Sequence, residues 1–382
     1  MNGGNTYILF LIIFLPLVIM FLTVLINTLL GPFLKKRFKA AERVKVSVLI
    51  PARNEENNIG NCLESITKND HPDFEVIVLD DNSSDNTYRI AEKYSENNNN
   101  IQCIKGKPLP AGWIGKTWAC HQLSLSAKGD VLIFTDADNT YEKNAIANTV
   151  AYMQRFDLDF LSAFPEQRTQ SFAEKLIIPM IDLIAYSFFI LWSSYFVKLS
   201  IFIEANGQWL AVRKSSYKAA GGHEAVKDKI VEDTELGRLF KKMKMKTLTV
   251  AGKDIVYGKM YSSFWGIWQG LTKNLYGIAG YNPVLFFFLL FLMAYNILVP
   301  YSFFFWEEYF YILLIALIIN ILWRAILSLR FHQSSFFISV LLHPVSILLL
   351  IAIAINSYLK SISGKIEWKG RKINPGLRNE KK

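Results

Sequence analysis

Cysteine is scarce. The 382 residues hold three, Cys62, Cys103 and Cys120, an odd number with no Cys-x-x-Cys or other metal-ligand spacing. That excludes a disulfide-stapled scaffold and fits reduced thiols in a cytoplasmic domain. No internal repeat is present. A central basic block is lacking too, although the net charge is +10. Residues 35–45 carry six Lys or Arg against one Glu, and residues 360–382 carry eight against two, which leaves the rest of the chain at about −1. Both basic stretches flank apolar segments, as juxtamembrane charges do, so nothing points to nucleic acid. The uncharged run 7–30 has no basic stretch before it and no clear small-residue cleavage site. An uncleaved anchor is therefore expected rather than a removed signal peptide.

What the chain has in excess is apolar residues: 52% hydrophobic and 14% aromatic, gathered in blocks. Such clustering implies a membrane. After the first block come Lys35, Lys36, Arg37 and Lys39, and the positive-inside rule then places residue 1 outside and everything after residue 35 in the cytoplasm. Residues 176–203 are strongly apolar but contain Asp182 and Lys198. A crossing there would separate the later residues from the acidic stretch at 136–138, so helices lying in the membrane interface are expected instead. Three further blocks follow: 283–306, 309–323 up to Arg324, and 336–359 interrupted by His343-Pro344. The expected division is an anchor at 1–34, a cytoplasmic domain at 44–255, an interfacial Trp-rich segment at 256–282, membrane helices at 283–360 and a basic tail at 361–382.

The middle of the chain alternates strands and helices. Val-Ser-Val-Leu-Ile (46–50) reads as a strand, 57–68 as a helix with Ile59, Leu63 and Ile66 on one face, and Phe-Glu-Val-Ile-Val-Leu (74–79) as a second strand. A helix over 86–94, capped by Ser84 or Asp85, and a short strand at 101–104 follow. This order predicts an α/β domain with a mostly parallel sheet covered on both faces. The stretch Val-Leu-Ile-Phe-Thr-Asp-Ala-Asp (131–138) is a strand buried on both faces that ends in two carboxylates. Ligands collect at the carboxyl ends of such strands. Asp-x-Asp there suits a hard divalent cation such as Mg²⁺ or Mn²⁺.

Val-Ser-Val-Leu-Ile-Pro-Ala-Arg-Asn-Glu-Glu (46–56), Val-Leu-Asp-Asp-Asn-Ser-Ser-Asp (78–85), Asp136-Ala-Asp138 and Glu232-Asp233 stand in the order and spacing of the inverting family 2 glycosyltransferases, which this chain resembles over roughly 44–255. Trp-Ile-Gly-Lys-Thr-Trp-Ala-Cys (113–120), Gly221-Gly-His223 and Glu-Trp-Lys-Gly-Arg (367–371) are similar to a membrane-bound subgroup. That subgroup includes carotenoid-acid (diaponeurosporenoate) glucosyltransferases and hopanoid-associated glycosyltransferases. The resemblance implies a GT-A nucleotide-diphospho-sugar transferase fold. It implies that Pro51, Ala52, Arg53 and Glu55 contact base and ribose, that Asp80 and Asp81 bind the nucleoside, and that Lys116 helps hold the nucleotide. Asp138 would coordinate the metal, with Asp136 nearer the sugar and ribose. Asp233 would be the general base, with Glu232 the alternative. The implied reaction is inverting transfer of a sugar, in the family often a UDP-hexose, to a lipid or isoprenoid acceptor at the cytoplasmic face of the cell membrane.

Two other functions were weighed against this. Processive polysaccharide synthases of the family carry Gln-x-x-Arg-Trp before their last spans. Here residues 264–274 hold Trp265, Trp268 and Gln269 with no Arg-Trp after them, leaving Lys273 as a cation or the tryptophans as an interface belt. An inactive membrane scaffold of the same fold should have lost a metal or base carboxylate, yet Asp80, Asp81, Asp136, Asp138 and Asp233 all stand. His223, after two glycines, is read as structural.

Four spans with both termini outside are expected. In a chain lacking Cys62, Cys103 and Cys120, a cysteine introduced at Asn379 should react with an impermeant thiol reagent on intact cells; labelling only after lysis places the tail inside.

Overall fold

The structure is a computed structural model. It describes residues 3–36, 38, 43–261, 263–305, 307–331, 336–368 and 371–373. Arg37, Lys39 and the basic tail beyond 373 lie outside the described residues. The chain forms two compact units: Pro32–Glu166 with Leu191–Met260, and Met1–Gly31 with Gln167–Ile190 and Tyr261–Lys382.

In the first unit, strands β1 (Val46–Ala52), β2 (Phe74–Asp80), β3 (Ile101–Lys105), β4 (Val131–Phe134), β6 (Phe160–Phe164), β8 (Leu210–Arg213) and β9 (Thr247–Ala251) make one seven-stranded sheet. Its order is β3-β2-β1-β4-β8-β6-β9. All the pairings are parallel except those of β8, which runs antiparallel to β4 and β6. The reversal has a functional consequence. Leu210 pairs with Phe134, so residues just before Leu210 lie beside the turn that follows β4. Strands β5 (Asn139–Tyr141) and β10 (Val256–Gly258) pair antiparallel with each other, which keeps the chain in this unit past residue 255; β7 is the two-residue strand Glu166–Gln167.

Alternate residues of β1 enter two different cores. Val46, Val48 and Ile50 pack with Ile59, Cys62, Leu63 and Ile66 of helix α2 (Ile59–Thr67) and with Ile146 and Val150 of α5 (Ala145–Arg155). Leu49 packs on the other face with Ala119, Cys120 and Leu123 of α4 (Gly115–Ser126) and with Leu236 and Phe240 of α10 (Glu232–Lys242). A strand that feeds apolar side chains to both faces is what the near-continuous apolar runs of 46–50 and 131–134 imply. Helices α3 (Thr87–Asn97) and α9 (Lys214–Ala219) complete the set. Pro32–Leu34 joins the sheet at its edge: Leu34 N–H donates to Ala251 O (2.8 Å) and Ala251 N–H to Pro32 O (2.9 Å). The short helix α8 (Ser193–Phe196) is tied to the same strand, because Ser194 Oγ accepts from Thr249 N–H (2.8 Å).

The segment 176–203 thus divides at Ile190. Its first half, with helices α6 (Phe172–Ile177) and α7 (Pro179–Phe188), belongs to the second unit, together with α1 (Gly3–Leu30), α11 (Phe264–Ile278), α12 (Pro283–Leu298), α13 (Phe310–Arg330), α14 (Phe336–Leu341) and α15 (His343–Ile362). The small strands β11 (Ile366–Trp368) and β12 (Arg371–Ile373) follow. Among the described residues, three stretches are long and apolar enough to cross a membrane: Pro283–Ser302, Glu307–Arg330 and His343–Ile362. Phe14–Leu30 is a shorter apolar stretch of α1. Arg324 does not reach toward an end of its helix. It is fully buried, and its guanidinium donates to Ser339 O (3.1 Å) and Pro179 O (3.3 Å). These two backbone carbonyls offset the cost of burying the cation. His343-Pro344 divides α14 from α15, with proline in the first turn of α15, where its missing N–H costs nothing. Asn27 Nδ2 donates to Tyr186 O (2.9 Å) and Phe189 O (2.7 Å), so α1 closes the carboxyl end of α7.

Trp209 anchors the globular unit. Its side chain is 0% exposed, and its Nε1–H donates to Thr149 Oγ1 (3.0 Å). Trp209→Ala should lower the unfolding free energy by about 3–5 kcal/mol. Chemical denaturation of the detergent-solubilised protein checks this; a change under about 1 kcal/mol contradicts it.

Candidate active site

Two loops at the carboxyl end of the sheet are fastened together. In β1 and β2, Ala52 pairs with Asp80, and Asp81 N–H donates to Ala52 O (2.8 Å). The Arg53 guanidinium donates to Asp81 O (2.6 Å) and Asn82 O (3.1 Å), so it braces the second loop from the first. Pro51 is half-buried beside it. Glu55 N–H donates to Thr87 Oγ1 (2.7 Å), while its Oε2 accepts from Asn58 Nδ2 (2.7 Å). Asp85 Oδ1 accepts from Thr87 N–H (3.0 Å), which gives α3 its side-chain cap from two residues upstream. Asp80 Oδ2 accepts from Ser83 N–H (3.2 Å), and Asp80 Oδ1 is buried with no hydrogen-bond partner among the described residues. A buried carboxylate oxygen in that state awaits a donor.

The turn after β4 is held from below by a polar network. Thr135 Oγ1 donates to Gln208 O (2.6 Å), Asn139 Nδ2 donates to the same carbonyl (2.6 Å), and Gln208 Nε2 donates to Asn139 Oδ1 (3.0 Å). Tyr141 Oη sits 2.6 Å from Thr135 Oγ1 and donates to Asp136 O (3.4 Å). Cys62 closes the underside. Burial, with the nearby charges of Asp138, Glu55 and Asp136, pushes its thiol up to about 12, so it stays an unreactive thiol. The same charges put Glu55 and both aspartates around one buried sulfur. Asp138 is half-buried at this turn. Among the described residues no three Asp, Glu, His or Cys side chains gather into a metal-ligand group. One carboxylate at a strand end suits a small hard cation that takes its remaining oxygens from phosphates and water, and does not suit a structural metal cage. On that chemistry the residues fit a divalent ion bound together with a nucleotide.

The base candidates come from α10. Asp233 stands in its first turn, where the helix N-terminus favours negative charge. Its Oδ2 accepts from Gly207 N–H (2.7 Å) and its Oδ1 from Thr234 N–H (2.7 Å). Thr234 Oγ1 donates to Ala205 O (3.2 Å) and accepts from Ala205 N–H (3.3 Å), so the helix start is clamped to the strand-like segment before β8. Burial and the neighbouring Glu232 raise the Asp233 carboxyl to about 6, against Lys116 and the two N–H donors, which lower it. Glu232 is 7% exposed. Lys116, from the first turn of α4, reaches both carboxylate groups: its Nζ lies 2.7 Å from Asp136 Oδ1 and 3.4 Å from Glu232 Oε1. Burial opposes its charge, and Asp136 and Glu232 more than offset that, holding the ammonium well above its ordinary value.

The structure therefore brings Lys116, Asp136, Glu232 and Asp233 into one cluster and braces Arg53, Asp80 and Asp81 in another. Lys116, read from sequence as a nucleotide contact, stands here among carboxylates. Gly207, Thr234 and Glu204 were not singled out from sequence. Glu204 joins through Arg238, 4.0 Å away; burial, with Asp233 and Glu235 nearby, pushes its carboxyl up to about 8. No spacing in the sequence signals them. His223 is buried, its Nδ1 2.8 Å from Tyr217 Oη and its ring against Phe134, and burial lowers it to about 3. It stays neutral and structural.

A carboxyl raised on folding binds its proton more tightly in the native state, so its stabilising contribution is present below about pH 4 and is lost as pH rises through about 6. Asp233→Asn should remove that loss and make the protein more stable than wild type above pH 6, by up to about 2 kcal/mol after allowance for partial exposure. Thermal melts of both proteins from about pH 4 to 8 test this; parallel curves contradict it.

Residues 47–203 match Glycosyl transferase family 2. The 4,4'-diaponeurosporenoate glycosyltransferases of Staphylococcus aureus strains USA300 and Newman are 29% identical over 245 residues, 62% of this chain. The match spans 63% of those relatives' length. Among solved structures, the mannosyltransferase PcManGT from Pyrobaculum calidifontis, in complex with GDP-Man and Mn²⁺, superposes with a TM-score of 0.56 at 18% identity, covering 93% of this chain and 99% of that one. Residues 47–203 of this chain are thus a family 2 glycosyltransferase domain of the GT-A fold.

Proposed function

We propose that the protein transfers a hexose, with inversion, from a UDP-sugar to a hydroxyl of a lipid-like acceptor at the cytoplasmic face of a membrane. The observation that carries this is Asp233. Its two backbone N–H bonds fix the carboxylate at a helix N-terminus, and its raised value leaves it ionised at neutral pH yet basic enough to take an acceptor proton. A hydroxyl attacking an anomeric carbon has to lose that proton as the new bond forms. The nucleotide would lie over the loops after β1 and β2, with the open Asp80 Oδ1 facing a donor group on the base or ribose. Asp138 would hold a divalent ion, whose chemistry is to neutralise charge on the departing diphosphate. Asp136 stays near the sugar, oriented by the polar network beneath it.

An isoprenoid-like acceptor is supported by two features. The relatives named above act, by name, on diaponeurosporenoate, and three helices here are apolar and long enough to lie in a bilayer. The relatives' match covers only part of their length, so acceptor identity rests on the chemistry of an apolar molecule met at a membrane.

Donor turnover and transfer should separate by variant. With purified protein, Mn²⁺ and UDP-glucose, Asp138→Asn should lose about 10–100-fold in donor turnover, as chelation of the metal should in wild type. Asp233→Asn should bind the donor within about threefold of wild type while kcat for transfer falls about 10²–10⁴-fold. Wild-type turnover by D138N contradicts the metal site, and equal loss of donor affinity in D233N contradicts the base.

A further inference from the structure

Three carboxyl groups gather near one ammonium in a half-buried site: the Lys116 and Asp136 side chains are 35% and 29% exposed and that of Glu232 9%. Glu232 and Asp233 are adjacent in sequence on the first turn of α10, and Asp136 approaches from the turn after β4. The cation that meets them is Lys116. A Cβ added to Gly207 would stand 3.1 Å from Lys116 Nζ and 3.3 Å from Asp233 Oδ2, so the ammonium and the base carboxylate flank the same bare glycine. Three elements converge there: α4 brings the ammonium, the 204–208 segment the glycine, and α10 the carboxylates.

We propose that Lys116 is a positioning residue for the base: it supplies the positive charge that lets Asp233 be ionised beside the Glu232 carboxyl group, and it does not serve as a nucleotide contact. The proposal rests on the assignment of Asp233 as base. Two like charges in a half-buried site favour one of them taking a proton unless a counter-charge lies within a few ångströms. The charged groups facing Asp233 are Glu232 on its own helix, Lys116 from α4, and Glu204 from the segment before β8, with Glu204 itself facing Arg238. Of these, Lys116 is the cation that lowers Asp233, because Arg238 is engaged by Glu235 (2.6 Å) and Glu204. Gly207 leaves the gap between ammonium and carboxylate open, at the place where an acceptor oxygen has to approach the base. An alanine there would narrow it.

The experiment uses the full chain in detergent or nanodiscs, with Lys116→Met, Lys116→Arg, and K116M combined with Asp233→Asn. In K116M the acid limb of the kcat/KM profile should move up by about one pH unit or more, so the loss relative to wild type is at least about fivefold greater at pH 6 than at pH 8. The donor Kd should stay within about threefold, and K116R should restore the limb. A second readout needs no turnover. Without Lys116 the folded Asp233 holds its proton to higher pH, so the Tm gap between K116M and wild type should widen from about pH 6 to 8, and the D233N background should remove that widening. A pH-independent loss of activity with weakened donor binding, a limb displaced equally in K116R and K116M, or a Tm gap constant with pH overturns the proposal. If wild type transfers no sugar at all, the transferase reading falls, while the Tm series still decides the role of Lys116. If K116M does not fold, Lys116→Gln, which keeps a polar tip for Asp136, is measured in the same way.

Discussion

The contact on which the site depends is the Lys116 ammonium, 2.7 Å from Asp136 and 3.4 Å from Glu232. Coulomb attraction in a partly enclosed site outweighs the cost of withdrawing these charges from water only when each has a partner close by. Lys116 and Glu232 stand in the first turns of α4 and α10, so the contact sets where both helices begin relative to β4. The antiparallel β8 then has a specific use: its reversed direction delivers Gly207 between Lys116 and Asp233, and delivers the Gln208 carbonyl to Thr135 and Asn139 beneath Asp136. The sheet positions the chemistry by bringing the loops after β1, β2 and β4 to one end, as parallel α/β folds do.

A division of labour follows from the hydrogen bonds. Arg53 donates to the backbone carbonyls of Asp81 and Asn82, so it stiffens the loop after β2 from the loop after β1. Thr234 and Ala205 exchange two hydrogen bonds, which fixes the register of α10 against the 204–208 segment and hence the direction of Asp233. Cys62 and Tyr141 are kept neutral by burial under the Asp136–Asp138 turn, so they add packing and hydrogen bonds without adding charge. The second unit solves another problem. Arg324 and Asn27 donate to backbone carbonyls among apolar helices, Arg324 to Ser339 O and Asn27 to Tyr186 O.

Much of the fold was legible because its signals are local. The apolar runs at 46–50, 74–79 and 131–134 are strands buried on both faces, and Ile59, Leu63 and Ile66 at helical spacing are the buried face of α2. The carboxylates at 80–81, 136–138 and 232–233 stand out because acidic pairs directly after apolar strands, or opening a helix, have few structural uses. What was not legible depends on distance in sequence. Lys116 meets residues 20 and 116 positions away, a relation set only when the sheet closes. Gly207 and Thr234 carry no chemical signal of their own, since their role lies in backbone N–H groups and a hydroxyl of a kind common to many loops. The break at Ile190 was hidden for another reason. The apolar character of 176–203 runs through it unchanged, while the hydrogen bonds of Ser194 with β9 decide where the second half belongs.

The most direct measurement of the central claim is mass spectrometry of lipid extracts from membranes with and without this protein, after incubation with UDP-hexose and a divalent metal. The account predicts a lipid or isoprenoid species heavier by one hexose residue, present only with the protein, metal and donor together. Identical lipid profiles, with nucleotide-sugar consumed or not, would contradict it.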